Sequence, residues 1–377
     1  MVQKIKILIT DAGYKHTLGA VRSLGKAGFF VIAMASNKKA QSFFSRFCNE
    51  KLICPDPRNE GQFIQFLIDY LEKNRVDVLI PVGYLTTVTI SKHKEELLPF
   101  VKIPIVDYGS MQIACNKEKT MQLAHSLNIP SPKGYSSITD IDEFPIVAKG
   151  IYESGQIKYI KSFENLKHLD LNNYILQEYI QGEGYGFYAL YNHGTIRAFF
   201  MHKRVREFPI TGGASTCAES IFDDELKKVG LELLRPLRWH GVAMVEFKKD
   251  ARDGKFKLIE INPKFWGSLD LAITSGVNFP KLLVEMALNG DVEPVFNYNT
   301  NIKFRWPFPD DMLHLFANPK SIWEILWECF DKNSRSNLWP DDFLPNILQM
   351  YDTCIIIVSQ IMRGNLWYPH GNPKVRK

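Results

Sequence analysis

The stretch between residues 242 and 268 constrains this chain more than any other. Two apolar runs, residues 242–247 and 256–261, flank a polar segment that contains Asp253-Gly254, which is the pattern of a β-hairpin. Each run carries one carboxylate, Glu246 or Glu260. Side chains alternate between the two faces of a strand, so these glutamates could lie side by side, with Asn262 pointing the same way two residues past Glu260. Two carboxylates and an amide oxygen are hard ligands, suited to a Mg²⁺ ion that keeps some water and takes its other ligands from phosphates. Two adjacent like charges repel unless a dication sits between them, so the pair suggests a nucleotide site. The plain alternative is two surface glutamates on a solvated sheet face; the spacing counts against it.

The 377 residues leave room for two or three domains and a sizeable core. A hydrophobic share of 45% and a charged share of 23% are those of an ordinary globular protein. The net charge of +5 is mild for this length, and no basic block with interleaved aromatics suggests nucleic acid. The six cysteines are scattered without a C-x-x-C pair, and read as reduced thiols. Residues 1–6 lead directly into a strand with no secretory signal, which makes the cytoplasm the expected compartment. The apolar stretch 353–362 is too short to span a bilayer.

Taken in order, the chain opens with an apolar strand at residues 5–10. A helical pattern through Leu18, Val21 and Leu24 follows, then a second strand over 29–35. A further helix over 60–74 and a strand at 78–81 continue the alternation, which predicts a parallel α/β sheet. Gly13 and Gly19 lack the spacing that lets a backbone approach a dinucleotide, so an NAD(P)-dependent oxidoreductase is only a distant alternative. Residues 144–150 form a short apolar strand with one charge, Lys149. A lysine ending a buried strand is costly unless it meets an anion.

Glu246, then Glu260-x-Asn262-Pro263 and Phe265-Trp266-Gly267-Ser268, resemble the metal hairpin of the ATP-grasp ligases, the superfamily of biotin carboxylase, carbamoyl-phosphate synthetase and D-alanine–D-alanine ligase. The resemblance covers most of residues 5–295. It implies an α/β fold: an N-terminal parallel α/β domain (1–110), an α+β ATP-grasp domain (111–299) with a lid subdomain at about 130–182, and a mainly helical, Trp-rich extension (300–377). It assigns ATP phosphates to Lys117, with Lys119 as the alternative register, and to Lys149. The lid contact falls on Ser154 and Gly155, in a loop poorer in glycine than the family's. Residues Gln177, Glu178, Tyr179 and Ile180 would grip adenine, and Glu183 would take the ribose. Glu246, Glu260 and Asn262 would hold Mg²⁺, for which Mn²⁺ could substitute. Arg204, Arg206 and Lys264 would face the reacting carboxylate and γ-phosphate, with Lys264 standing where the family usually has arginine.

The activity so implied is an ATP- and Mg²⁺-dependent ligase that activates a carboxylate as an acylphosphate and joins it to an amine or another nucleophile. A catalytically weakened ATP-binding regulator of the same fold is the alternative. The expected partners are ATP and small carboxylate and amine substrates. Neither nucleic acid nor a membrane is expected, and a homodimer stays open. In the extension, Ile322, Trp323, Leu326, Trp327 and Phe330 fall close to one helical stripe, expected to pack on the ligase body.

Overall fold

The computed structural model describes residues 4–152, 157–167 and 169–362. Three sheets organise them. The first is parallel, in the order β3-β2-β1-β4, from strands β1 (Lys6–Ile9), β2 (Phe30–Ala35), β3 (Glu50–Ile53) and β4 (Val78–Ile80). The second contains β5 (Gly134–Tyr135), β6 (Ile146–Gly150), β7 (Ile157–Ile160) and β8 (Tyr174–Glu178), in the order β5-β8-β6-β7. The third has seven strands in the order β13-β12-β9-β10-β11-β14-β15. Its members are β9 (Gly182–Asn192), β10 (Thr195–Phe208), β11 (Ala214–Ser220), β12 (Gly241–Asp250), β13 (Phe256–Asn262), β14 (Lys303–Arg305) and β15 (Ser334–Ser336).

The continuous apolar runs of β1 and β2 are explained by burial on both faces. Ile7, Ile9, Val31 and Ala33 share one core with Tyr188, Leu190 and Phe200 of the seven-stranded sheet, whereas Leu8, Ile32 and Met34 face a second core against the helix Glu60–Lys73. The same alternation runs through β9. Tyr188 and Leu190 look toward the parallel sheet, and Phe187, Ala189 and Tyr191 look toward the helix Asp224–Leu234. The central sheet is thus covered on both sides.

Local signals hold where they are strongest. Asn116 caps the helix Lys117–Ser126, its Oδ1 accepting from the Lys119 amide at 3.0 Å, which fixes Lys117 at the first helical position. Gly276 ends the helix Leu269–Ser275 at φ +111°, a conformation that favours glycine.

The C-terminal segment departs from the sequence expectation in two ways. It is helical in the main, but β14 and β15 extend the central sheet. The aromatic stripe of the helix Ile322–Glu328 does not pack on the body: Trp323 and Trp327 are 77% exposed and Phe330 is 84% exposed. The positions turned inward are Ile322 and Ile325, half-buried, and Glu328, which is buried in an ion pair with Arg206 at 2.7 Å. A second buried arginine, Arg22 of the helix Lys15–Lys26, holds Asp342 at 2.7 Å and stacks on Trp339. Buried charge pairs attach this segment alongside Phe304 and Trp306, which join the main core.

Candidate nucleotide and metal site

β12 and β13 pair antiparallel with Glu246 opposite Glu260 and Met244 opposite Asn262. The hairpin read from the sequence therefore forms, and its three oxygen-bearing side chains share one face. Asn262 Nδ2 donates to Glu260 Oε1 at 2.8 Å. Each carboxylate meets its own cation: Arg204 Nη2 lies 2.7 Å from Glu246 Oε2, and Lys117 Nζ lies 3.3 Å from Glu260 Oε2. Burial pushes the Glu246 carboxyl upward despite Arg204. Burial acts on Glu260 in the same sense, but Lys117, the Asn262 amide and Lys149 outweigh it and hold that carboxyl below its ordinary range.

Lys149 ends β6 on the facing sheet and is buried. Burial lowers it to about 8, with Glu260 and Glu246 opposing that shift. Arg204 reaches the site from β10 because β9 offers a glycine where it crosses: a Cβ on Gly184 would stand 2.7 Å from Arg204 Cδ. Among the described residues these side chains line a cleft of about 380 Å³ between the second and third sheets. Lys117, Lys149, Arg204, Lys248 and Lys264 line it against three carboxylates, Glu178, Glu246 and Glu260, an excess of positive charge that suits a polyphosphate. It is also lined by Tyr179 and Ile180, from the segment expected to grip a base, and by Val147 of β6. Gly212 and Gly213 line the other side.

Arg206, Glu183, Gln177 and Lys119 do not line the cleft. Arg206 is buried with both Asp311, at 2.9 Å, and Glu328, so its guanidinium is saturated away from the cleft. The physical cause is a bulge: the β10–β11 register shifts between Arg204 and Arg206 and again before Glu207, which breaks the alternation that would have put both arginines on one face. Glu183 is exposed, accepts from Tyr185 Oη at 2.9 Å, and sits with Tyr185 on the face of β9 opposite the cleft-lining Tyr188. Gln177 is buried with Oε1 unpartnered, and opens onto an adjoining groove that shares Pro132 with the cleft. Ser154 and Gly155 lie outside the described residues. Lys119, the alternative to Lys117, is exposed.

Sequence reasoning passed over Lys248 and a buried polar group at the cleft floor. Lys248 was legible, since Met244, Glu246 and Lys248 alternate on β12 and all three line the cleft. Its Nζ donates to the Ile180 carbonyl at 3.4 Å, tying the hairpin to the base-side segment. His202 Nε2 meets both Tyr188 Oη and Ser268 Oγ, the latter at 2.8 Å, and burial keeps the imidazole neutral by lowering it to about 3. No sequence signal marked that group, because it joins residues from three separate elements.

The donor set passes a chemical test for a hard dication. Among the described residues no cluster of three or more His, Cys, Asp or Glu could cage a metal alone. Two carboxylates and an amide on one face instead match an ion whose remaining ligands come from phosphate oxygens and water.

Two sheets closing on a cationic cleft, with paired carboxylates on one hairpin, define an ATP-grasp fold, which the chain shares with the ligase and carboxylase structures it resembles. A family model described as "ATP-grasp in the biosynthetic pathway with Ter operon" matches residues 170–307. A D-aspartate ligase from Enterococcus faecium is 23% identical over 314 residues, covering 72% of this chain and 74% of that protein. An L-amino acid ligase from Bacillus licheniformis superposes with a TM-score of 0.60 at 16% identity, over 78% of this chain and 76% of that one. A biotin carboxylase from Campylobacter jejuni gives 0.63 at 14% identity, over 80% and 74% of the two chains.

Proposed function

We infer that the chain binds Mg-ATP in this cleft and uses it to join a carboxylate to an amine. The observation that carries the reading is the direct pairing of Glu246 with Glu260, each held by a cation from a different element. In the reaction, a carboxylate oxygen attacks the γ-phosphorus, the bond to the β-phosphate oxygen breaks and ADP leaves. The amine nitrogen then attacks the acyl carbon, inorganic phosphate departs, and the nitrogen gives up a proton. Lys117 and Lys149 meet phosphate oxygens. Arg204 and Lys264 neutralise the substrate carboxylate and the γ-phosphoryl group, where charge moves in the transition state. Glu246, Glu260 and Asn262 would hold Mg²⁺ or Mn²⁺, which when bound neutralises charge on the phosphates. The adenine edge meets the backbone of residues 178–180, with the unpartnered Gln177 Oε1 as a nearby acceptor.

The relatives' names, D-aspartate ligase and L-amino acid ligase, support an amino acid as one of the two substrates. The test is ADP release from Mg-ATP with pools of D- and L-amino acids, alone and paired, with hydroxylamine added to trap an acylphosphate. Nucleotide binding without ADP release or hydroxamate in any pool would instead support a binding regulator.

A further inference from the structure

Arg22 with Asp342, and Arg206 with Asp311 and Glu328, are buried pairs that attach the C-terminal segment. A further pair is built differently. Lys15 opens the helix Lys15–Lys26, and Asp310 belongs to the turn Pro307–Asp311. Lys15 Nζ lies 2.6 Å from Asp310 Oδ2, yet the two side chains keep 17% and 20% of their surface exposed. The pair borders the cleft. Lys15 Nζ also donates to the Ser215 carbonyl at 3.3 Å, and a Cβ on Gly267 would stand 3.2 Å from Lys15 Cε. Ser215 and Gly267 both line the cleft, and the missing side chain at residue 267 is what lets the lysine approach it.

The hydrogen bonding here is incomplete. Asp310 Oδ1 has no hydrogen-bond partner among the described residues, and Lys15 uses two of its three N–H donors. Trp266, a cleft-lining residue beside Gly267, is buried with no acceptor for its Nε1–H, and both ring nitrogens of His16 are buried without partners. A buried polar group without a partner costs free energy that a ligand's polar atoms would offset.

Charge selects the ligand. The cleft-lining residues within 212–215 and 264–268 include no carboxylate, so an ammonium entering beside them finds its counter-charge on Asp310. A carboxylate entering there finds Lys15. A cation and an anion held side by side match a molecule that carries the opposite charges on one carbon, and a free α-amino acid is that molecule. A simple amine or a simple acid would leave half of the pair unmatched.

We propose that Lys15 and Asp310 form the head-group site for the amine substrate, a free α-amino acid bound as its zwitterion, Lys15 meeting the carboxylate and Asp310 the ammonium. The proposal rests on reading the cleft as that of a ligase. Both residues lie outside the stretch 170–307 that the family model matches.

The test is isothermal titration of the full chain, with and without Mg-ADP, using the standard amino acids and their D-isomers in turn. The tightest binder is then compared with its decarboxylated amine and its deaminated acid. Wild type is expected to bind the amino acid roughly tenfold or more tightly than either analogue, since each lacks one charge-assisted hydrogen bond. Lys15→Met should bring the amino acid down to the level of the amine while leaving the amine within about twofold, and Asp310→Asn should do the same with respect to the acid. A pair that only ties two elements together would weaken all three ligands alike, or none, and either result overturns the proposal. So does a wild-type chain that binds no amino acid in either condition. Separate titration with Mg-ATP keeps the two readings apart. Nucleotide binding without amino-acid binding fails the head-group site alone, whereas the crossed pattern without nucleotide binding supports the site and fails the ligase reading.

Discussion

Glu246 and Glu260 face each other across adjacent strands, and the protein shifts them in opposite directions, Glu246 toward the neutral form and Glu260 toward the ionised one. Two equivalent carboxylates at this distance would compete for one proton. Here Lys117, Lys149 and Asn262 favour ionised Glu260, so the pair is asymmetric before any ligand arrives.

Glu260→Gln keeps the shape and the Asn262 contact while removing the charge. If the residue stabilises moving phosphoryl charge, turnover should fall by a few hundredfold, on the scale of about 3–4 kcal/mol for a preorganised electrostatic group, and ATP affinity should fall less. Because the folded protein favours its ionised form, the variant should also melt somewhat lower above pH 5, the unfolded carboxyl titrating near 4.3. ADP release and thermal melting measure the two effects. Equal losses in rate per folded molecule and in ATP affinity would make Glu260 a ground-state binding residue only.

Lys149→Met should weaken Mg-ATP binding by roughly ten- to a hundredfold, the scale of a charged hydrogen bond lost. Isothermal titration reads this directly, and an unchanged affinity removes Lys149 from the phosphates. The same lysine gives a pH signature without nucleotide. Its folded value of about 8 lies below its unfolded value, so burial of the charge costs stability below pH 8. Between the two values the unfolded chain holds the extra proton, and stability should rise with pH up to near 10.4 by at most about 3 kcal/mol. Wild type minus Lys149→Met isolates that rise; parallel curves would show a lysine that is not desolvated.

Glu183→Ala should leave the ATP dissociation constant within about twofold, because the carboxylate faces away from the cleft and its exposed hydrogen bond to Tyr185 contributes little. A tenfold loss would return this residue to the ribose and mean that β9 turns on binding.

Arg206→Met leaves Asp311 and Glu328 buried without their shared partner, and should cost about 3–5 kcal/mol of stability. Turnover per folded molecule should hold, since the guanidinium pairs with Asp311, Glu328 and Glu324, none of which lines the cleft. Chemical denaturation alongside ADP release checks both; a stable variant with lost turnover would place the guanidinium at the reaction after all.

The period-two rule was enough to put Glu246, Glu260 and Asn262 on one face, because their spacing lies within one hairpin and needs no distant partner. Lys117 came from the family resemblance alone, with Lys119 as the alternative register, but one charge in a buried strand marked Lys149. The hairpin spacing and the Lys149 strand are local signals, set by backbone geometry over a few residues. Which arginine enters the cleft was decided by a bulge that exists only when β10 pairs with β11, and the outward face of Glu183 by the pairing of β9 within the sheet. The aromatic stripe of Ile322–Glu328 had the period of a buried face, yet the buried ion pair of Glu328 with Arg206 turns a different side of the helix inward and leaves Trp323 and Trp327 exposed. Amphipathic spacing says that a face needs an apolar neighbour; only the tertiary structure, through where compensating charges fall, decides whether that neighbour is the protein itself.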